Sequence, residues 1–231
     1  MPTIAFASPK GGAGKSTSAV LLGADLALRG TTVTIIDADP NHPVSRWGKR
    51  PGRPENLTVI ADVTEETLID VIEDAAGKTA FVIIDLEGTA SSLVGIAMSR
   101  ADLVIIPTKG SDLDASEAVR AIKFIRFQEK NYRRPIPFAV LFTQTSPAIR
   151  PRTQANIEAE MLEQGIPMFA TQIHERDAYR AIFTYGGTLG GLDPNQVRNI
   201  ASATLNARSF TNEVIARLDT QIETNHAAEV A

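Results

Sequence analysis

The sequence contains no cysteine. That absence removes disulfides, thiolate zinc sites, iron–sulfur clusters and cysteine nucleophiles together. Histidine is nearly missing too: His42, His174 and His226 are the whole set, too few and too scattered for a histidine-built metal centre. No apolar run approaches the roughly 18 residues that mark a membrane span. The opening residues, Met1-Pro2-Thr3-Ile4-Ala5-Phe6-Ala7, lack the basic segment of a secretion signal. These absences point to a cytoplasmic protein with no membrane partner. A formal net charge of −4 confines any nucleic-acid binding to a local basic patch.

The 231 residues, 43% hydrophobic, suit a single α/β domain over 1–231, with 225–231 as a frayed C-terminal tail. Short runs rich in Ile, Val, Ala and Phe predict strands at Thr3–Ala7, Thr32–Asp37, Leu57–Ile60, Phe81–Asp85, Leu103–Pro107, Phe138–Thr143 and Met168–Ile173. Near-continuous apolar strands are the mark of a parallel sheet covered on both faces. Helical patterns fill the gaps at Lys15–Arg29, Glu65–Ala76, Asp112–Asn131 and Thr153–Gln164. The alternation predicts a doubly wound, mostly parallel sheet with helices on both faces. A last helix is expected from Pro194 to about Ile222, with Asp193 as its cap and Gln196 at the capping-box position. Asp39–Asn56, holding four Pro and four Arg or Lys, reads as an extended surface segment. No N-terminal DNA-binding module is expected ahead of the first strand.

The first predicted strand runs into Lys10-Gly11-Gly12-Ala13-Gly14-Lys15-Ser16-Thr17 and then a helix. Strand, glycine-rich loop, Lys-Ser and helix, in that order, form the context of a phosphate-binding P-loop. Glycines let the backbone N–H groups of Gly11 to Lys15 approach an anion closely. The helix beginning near Lys15 adds its N-terminal dipole. Lys15 is placed for the β- and γ-phosphates of ATP and Ser16 for Mg²⁺. The general pattern wants Gly at position 9, where this chain has Pro9; the form Lys-Gly-Gly-x-Gly-Lys-[Ser/Thr] fits throughout. Residues Lys10 to Thr17 resemble the deviant Walker A motif of the ParA/MinD ATPases. The resemblance implies that Lys10 is a signature lysine, reaching across a nucleotide-sandwich homodimer to the partner subunit's phosphates.

Carboxylates end two predicted strands. Ile35-Ile36-Asp37-Ala38-Asp39-Pro40 places two at the C-terminal edge of the sheet, where ligand crevices lie. In the resembled family this is an Asp-x-Asp motif, which implies that Asp37 lies near the metal and phosphates and that Asp39 orients the attacking water. Phe81-Val82-Ile83-Ile84-Asp85 is a Walker B pattern, with Asp85 a candidate for holding Mg²⁺ through water. The following Leu86-Glu87-Gly88-Thr89 departs from the Pro-rich turn of many relatives, and Glu87 reads either as a solvated turn residue or as a second carboxylate that helps position water near the γ-phosphate. Family topology implies that the base lies around Thr143-Gln144 and 171–175. The run His174-Glu175-Arg176-Asp177 fits no common metal spacing and reads as structural or base-proximal.

Arg120, Lys123, Arg126 and Lys130 fall within an arc of about 120° on one predicted helix, with Glu117 flanking the stripe and Glu129 pointing elsewhere. Arg133, Arg134, Arg150 and Arg152 follow. Positions 118–152 hold eight Arg or Lys and one acidic residue. The stripe reads either as a solvated face or as a surface for DNA phosphates. The resemblance implies the second: non-specific DNA binding by the ATP-bound dimer, nucleoid association, and hydrolysis stimulated by a centromere-binding ParB-like partner during plasmid or chromosome partition. An accessory ATPase of a conjugation-like transfer system would use the same site. A MinD-type spatial regulator would need a basic, bulky C-terminal helix, which Thr220 to His226 does not supply.

Overall fold

The computed structural model describes residues 1–88 and 91–221, together with the backbone of 222–230 inside the last helix. The chain order is β1 (Thr3–Phe6), α1 (Lys15–Leu28), β2 (Val33–Ala38), α2 (Pro43–Gly48), β3 (Leu57–Ile60), α3 (Leu68–Lys78), β4 (Phe81–Leu86), α4 (Ser92–Arg100), β5 (Leu103–Thr108), α5 (Asp112–Tyr132), β6 (Phe138–Thr145), α6 (Arg152–Glu163), β7 (Ile173–His174), α7 (Asp177–Tyr185) and α8 (Ile200–Val230). The strands form one seven-stranded sheet in the order β3-β2-β4-β1-β5-β6-β7, and every paired neighbour runs parallel.

Side-chain alternation divides the interior into two cores. Ile4, Phe6, Ile35, Ile83, Leu103, Ile105, Ala139 and Leu141 face the layer that holds α1, α2, α7 and α8. Ala5, Ile36, Val82, Ile84, Val104, Ile106, Val140 and Phe142 face α3, α4, α5 and α6. Both residue sets are apolar because both faces are covered, and this is the α/β doubly wound architecture the alternation predicts. Helix α1 lies close to the sheet because it has Gly23 at the contact: a Cβ there would come within 2.8 Å of Ile35 Cδ1. The C-terminal ends of β1, β2 and β4 thereby meet the loop that opens α1.

Four expectations are corrected. The last strand is only Ile173–His174, with Met168 making a single bridge to Val140. The reason is local: the amides of Ala170 and Thr171 donate to the Glu213 carboxylate, both at 2.8 Å, and so are lost to a ladder. The last helix starts at Ile200, not Pro194. Asp193 caps only a turn, taking the Asn195 amide at 2.9 Å, and Asn199 at φ 58° breaks the path to the helix. The segment 39–56 contains α2, whose Val44 and Trp47 are buried. Helices α4 and α7 are additional to the reading; Ser91 caps α4 by accepting the Val94 amide. The expected frayed tail at 225–231 lies outside the fully described residues.

Candidate nucleotide site

The loop between β1 and α1 is held open by glycine. Gly12 and Gly14 adopt φ of 74° and 91°, and Gly14 is the residue before the helix. The loop is braced from β6. Thr143, buried, donates its hydroxyl to the Ala13 carbonyl at 2.7 Å, and Gln144 donates its side-chain amide to the Gly12 carbonyl at 2.9 Å. Both were candidates for nucleotide contact; in this structure the Thr143 hydroxyl and the Gln144 amide brace the loop backbone.

Lys15 is 6% exposed, with its ammonium 3.5 Å from the carbonyls of Ser8 and Lys10. Burial pushes its pKa below the usual lysine range, while the Asp85, Asp39 and Glu87 carboxylates, in that order, oppose the shift. Glu87 is thus among the charges that act on Lys15.

Asp37 and Asp85 are direct neighbours in the β2–β4 register, and both are fully buried. Asp37 Oδ2 accepts the Ser45 amide at 2.6 Å; among the described residues its other oxygen and both oxygens of Asp85 have no hydrogen-bond partner within 3.5 Å, although the Ser16 hydroxyl lies close enough to act on Asp85. Burial raises Asp85 to about 7, and the Asp37 and Asp39 charges add to the rise. The Ser16 hydroxyl and Lys15 offset part of it. Two adjacent buried carboxylates with three unpartnered oxygens are costly. They suit a hard divalent cation, and with Ser16 beside Asp85 the donor set fits Mg²⁺. No group of three or more His, Asp or Glu that could hold a metal unaided exists among the described residues; magnesium in a phosphate site draws its other ligands from phosphate and water. Asp39 sits beyond the end of β2, where its Oδ1 accepts from the Asn41 backbone and side-chain amides at 2.8 and 3.0 Å. The Asx turn it makes with Asn41 follows directly after β2, and its charge acts on both Lys15 and Asp85.

Lys10 stands apart. Its side chain is 41% exposed and its ammonium lies 2.7 Å from Asp114 in the first turn of α5. Burial alone would raise Asp114, but Lys10 and the Ser111 hydroxyl hold its carboxyl below the usual range.

Beside the loop, a cavity of about 330 Å³ is lined by residues including Thr17, Gln144, His174, Arg176, Tyr179 and Phe183. Its size, and the mix of Ile173, Tyr179 and Phe183 with polar side chains in its lining, suit a base. His174 Nδ1 meets the Thr145 hydroxyl at 2.8 Å. Burial lowers the His174 pKa, and Arg176 adds to this, both favouring the neutral ring. The run His174 to Asp177, read as structural or base-proximal, supplies His174 and Arg176 to this cavity; Tyr179 and Phe183 come from α7, whose amphipathic pattern would have marked it as a helix.

The basic stripe is less uniform than the sequence count suggests. Arg120 pairs with Glu117 at 2.9 Å, Arg126 with Glu129 at 2.9 Å, and Arg150 with Glu158. Glu129 therefore does not point elsewhere, as its helical angle implied; the Arg126 side chain reaches back to it and packs over Phe138. Lys123 and Arg152 have exposed side chains without an ion pair among the described residues. Also among the described residues, no helix is long and apolar enough to cross a membrane.

Comparison with known proteins agrees with this geometry. The family model described as "VirC1 protein" matches residues 1–221. A protein named ParA from Rhizobium radiobacter is 41% identical over 94% of this chain and 98% of its own length. A virC1 protein from Rhizobium rhizogenes is 32% identical over 79% of this chain and 80% of its own. Among solved structures, an ATP complex of McdA from Cyanothece superposes with a TM-score of 0.72 at 18% identity, covering 93% of this chain and 96% of that one; at that identity the likeness speaks for the fold. The phosphate loop, the sheet and these relatives together show that the chain belongs to the VirC1 family, among the ParA/MinD-type P-loop ATPases.

Proposed function

We propose that this protein is an ATP-driven switch for DNA partition. ATP would sit with its phosphates on the amides of Gly11 to Lys15, and Lys15 would meet the β- and γ-phosphates. Ser16, Asp37 and Asp85 would hold Mg²⁺, which when bound draws charge from the phosphates during transfer to water. Asp39 orients the attacking water, and Lys15 and Asp85 must both be ionised for the site to work. The products are ADP and phosphate.

The observation that carries the switch is the position of Lys10. A lysine in a phosphate loop that served its own nucleotide would turn inward beside Lys15. Here Lys10 lies on the outer rim, with its ammonium parked on Asp114. Release from Asp114 frees it to reach a second subunit's phosphates, which ties dimer formation to nucleotide. The ATP-bound dimer then binds DNA non-specifically and associates with the nucleoid, and a ParB-like partner stimulates hydrolysis to reset it. Relatives named as chromosome partitioning ParA from Caulobacter vibrioides support this reading. A second reading, an accessory ATPase of a DNA-transfer system, uses the same site and differs only in cargo; it is kept because the matching family model is VirC1 and not a partition model.

DNA co-sedimentation with wild type, Lys10→Ala and Lys15→Ala tests the switch. Wild type should pellet with DNA only when ATP and magnesium are present, and both variants should stay in the supernatant. Equal pelleting of all three proteins without ATP would refute it.

A further inference from the structure

The described cations that have no carboxylate partner include a group that the stripe on α5 does not contain. Residues 43–54 hold Arg46, Lys49, Arg50 and Arg53 and no acidic residue. Arg53 is bound internally, to the carbonyls of Gly48 and Leu57. Arg46, Lys49 and Arg50 are exposed, and none has a side-chain hydrogen bond or an ion pair among the described residues. Arg46 lies on α2, Lys49 caps its C-terminal end and Arg50 follows in the turn, so the three cluster at that end of the helix, while Val44 and Trp47 are buried in the core.

This surface is also firmly built. Trp47 donates its indole N–H to the Gly187 carbonyl at 2.9 Å. The loop after α2 packs on the end of α7 so tightly that a Cβ at Gly186 would fall 2.5 Å from Arg50 Cβ and 2.8 Å from the Pro51 carbonyl. Tyr185, adjacent to Gly186 in sequence, is 54% exposed. The flanking acids in sequence are Asp39, which accepts the Asn41 amides, and Glu55, which makes no ion pair with these cations among the described residues; Glu175 pairs with Arg180 on α7, and Asp62 lies by His42.

We propose that Arg46, Lys49 and Arg50 form a docking surface for the phosphate backbone of duplex DNA. Three exposed, unpaired cations on a rigid face are what phosphate neutralisation requires. On α5 and α6, Arg120, Arg126 and Arg150 already have carboxylate partners, which cancel much of their field and must be displaced first. The α2 surface is also wired to the nucleotide. The Ser45 amide in its first turn is held by Asp37, the carboxylate beside Asp85, and the Asn41 amide before it by Asp39. Whatever draws on Asp37 and Asp39 acts directly on the segment that presents the three cations.

The inference rests on the DNA-partition reading, and one experiment separates the two. Binding of a fluorescent duplex is measured with Mg-ATP across a salt series for wild type, for Arg46→Gln/Lys49→Gln/Arg50→Gln, and for Arg120→Gln/Lys123→Gln. ATP affinity is followed with a fluorescent nucleotide as the control for folding. The α2 variant should keep ATP binding, lose on the order of 100-fold in DNA affinity near 0.1 M salt, and show a log–log salt slope shallower by about 2.7, roughly 0.9 per phosphate contact. Wild-type affinity and slope in the α2 variant, with or without a loss in the α5 variant, would overturn the α2 surface and leave the partition reading standing. Failure of the wild type itself to bind the duplex would overturn both.

Discussion

Replacing Asp85 with Asn should stabilise the nucleotide-free protein while destroying its magnesium response. Asp85 is fully buried, neither oxygen has a hydrogen-bond partner within 3.5 Å among the described residues, and burial raises its pKa from 3.8 to about 7. The folded state therefore binds a proton that the unfolded state releases. The stability linked to that proton is fully present below about pH 4 and is lost as pH rises through about 7. A shift of about three units at 1.36 kcal/mol each corresponds to roughly 4 kcal/mol lost by about pH 8, against roughly 2 kcal/mol at about pH 5.5. An amide never ionises, and Asp37, the register neighbour on β2, has an oxygen without a hydrogen-bond partner among the described residues as an acceptor for it. Asp85→Asn should consequently exceed wild type by a few kcal/mol at about pH 8, or on the order of 10 °C in Tm for a chain of this size, and the gap should shrink by about 2 kcal/mol at about pH 5.5. Thermal and urea unfolding without nucleotide at the two pH values give the gap. The same scans with Mg-ATP should show a large upward shift for wild type and little for the variant. A variant less stable than wild type at about pH 8, or a gap independent of pH, would refute the assignment of Asp85 as a strained, ligand-awaiting carboxylate.

Asp114→Ala removes the resting partner of Lys10; ATP-dependent dimers should form at several-fold lower protein concentration, as read by sedimentation velocity. Thr143→Val removes the hydroxyl that braces the Ala13 carbonyl; ATP affinity should fall by about 10-fold, the equivalent of one lost buried hydrogen bond, in a nucleotide titration. Gly186→Ala adds a Cβ at φ 87° against Arg50 and Pro51; about 2–3 kcal/mol of stability should be lost in urea unfolding. Trp47→Ala empties a fully enclosed site and breaks the bond to Gly187; the loss should be about 3–5 kcal/mol in the same assay.

The sheet was legible because its strands are buried on both faces, so Ile35-Ile36 or Ile83-Ile84 can be apolar at every position. The phosphate loop was legible because its conformation depends on residue type: Gly12 and Gly14 hold φ values that other residues avoid. The pairing of Asp37 with Asp85 was visible only as two strand-end carboxylates; their adjacency is a property of strand order, which places β2 beside β4. Helix α2 was hidden by its four surrounding prolines, and its burial is decided by Trp47 reaching Gly187 across 140 positions. The start of α8 was misplaced because Asp193-Pro194 has the chemistry of a helix start and delivers only one turn before Asn199 breaks it. The ion pairs of Arg126 and Arg150 depend on side-chain reach, which helical angles alone do not encode.

The central claim is that Lys10 converts a nucleotide site into a dimer switch, and solution mass tests it most directly. Light scattering on the 24.8 kDa chain with Mg-ATP should show the mass doubling for wild type and staying monomeric for Lys10→Ala, with both proteins monomeric in ADP. A wild type that remains monomeric at saturating Mg-ATP, or a Lys10→Ala variant that dimerises as readily as wild type, would contradict it.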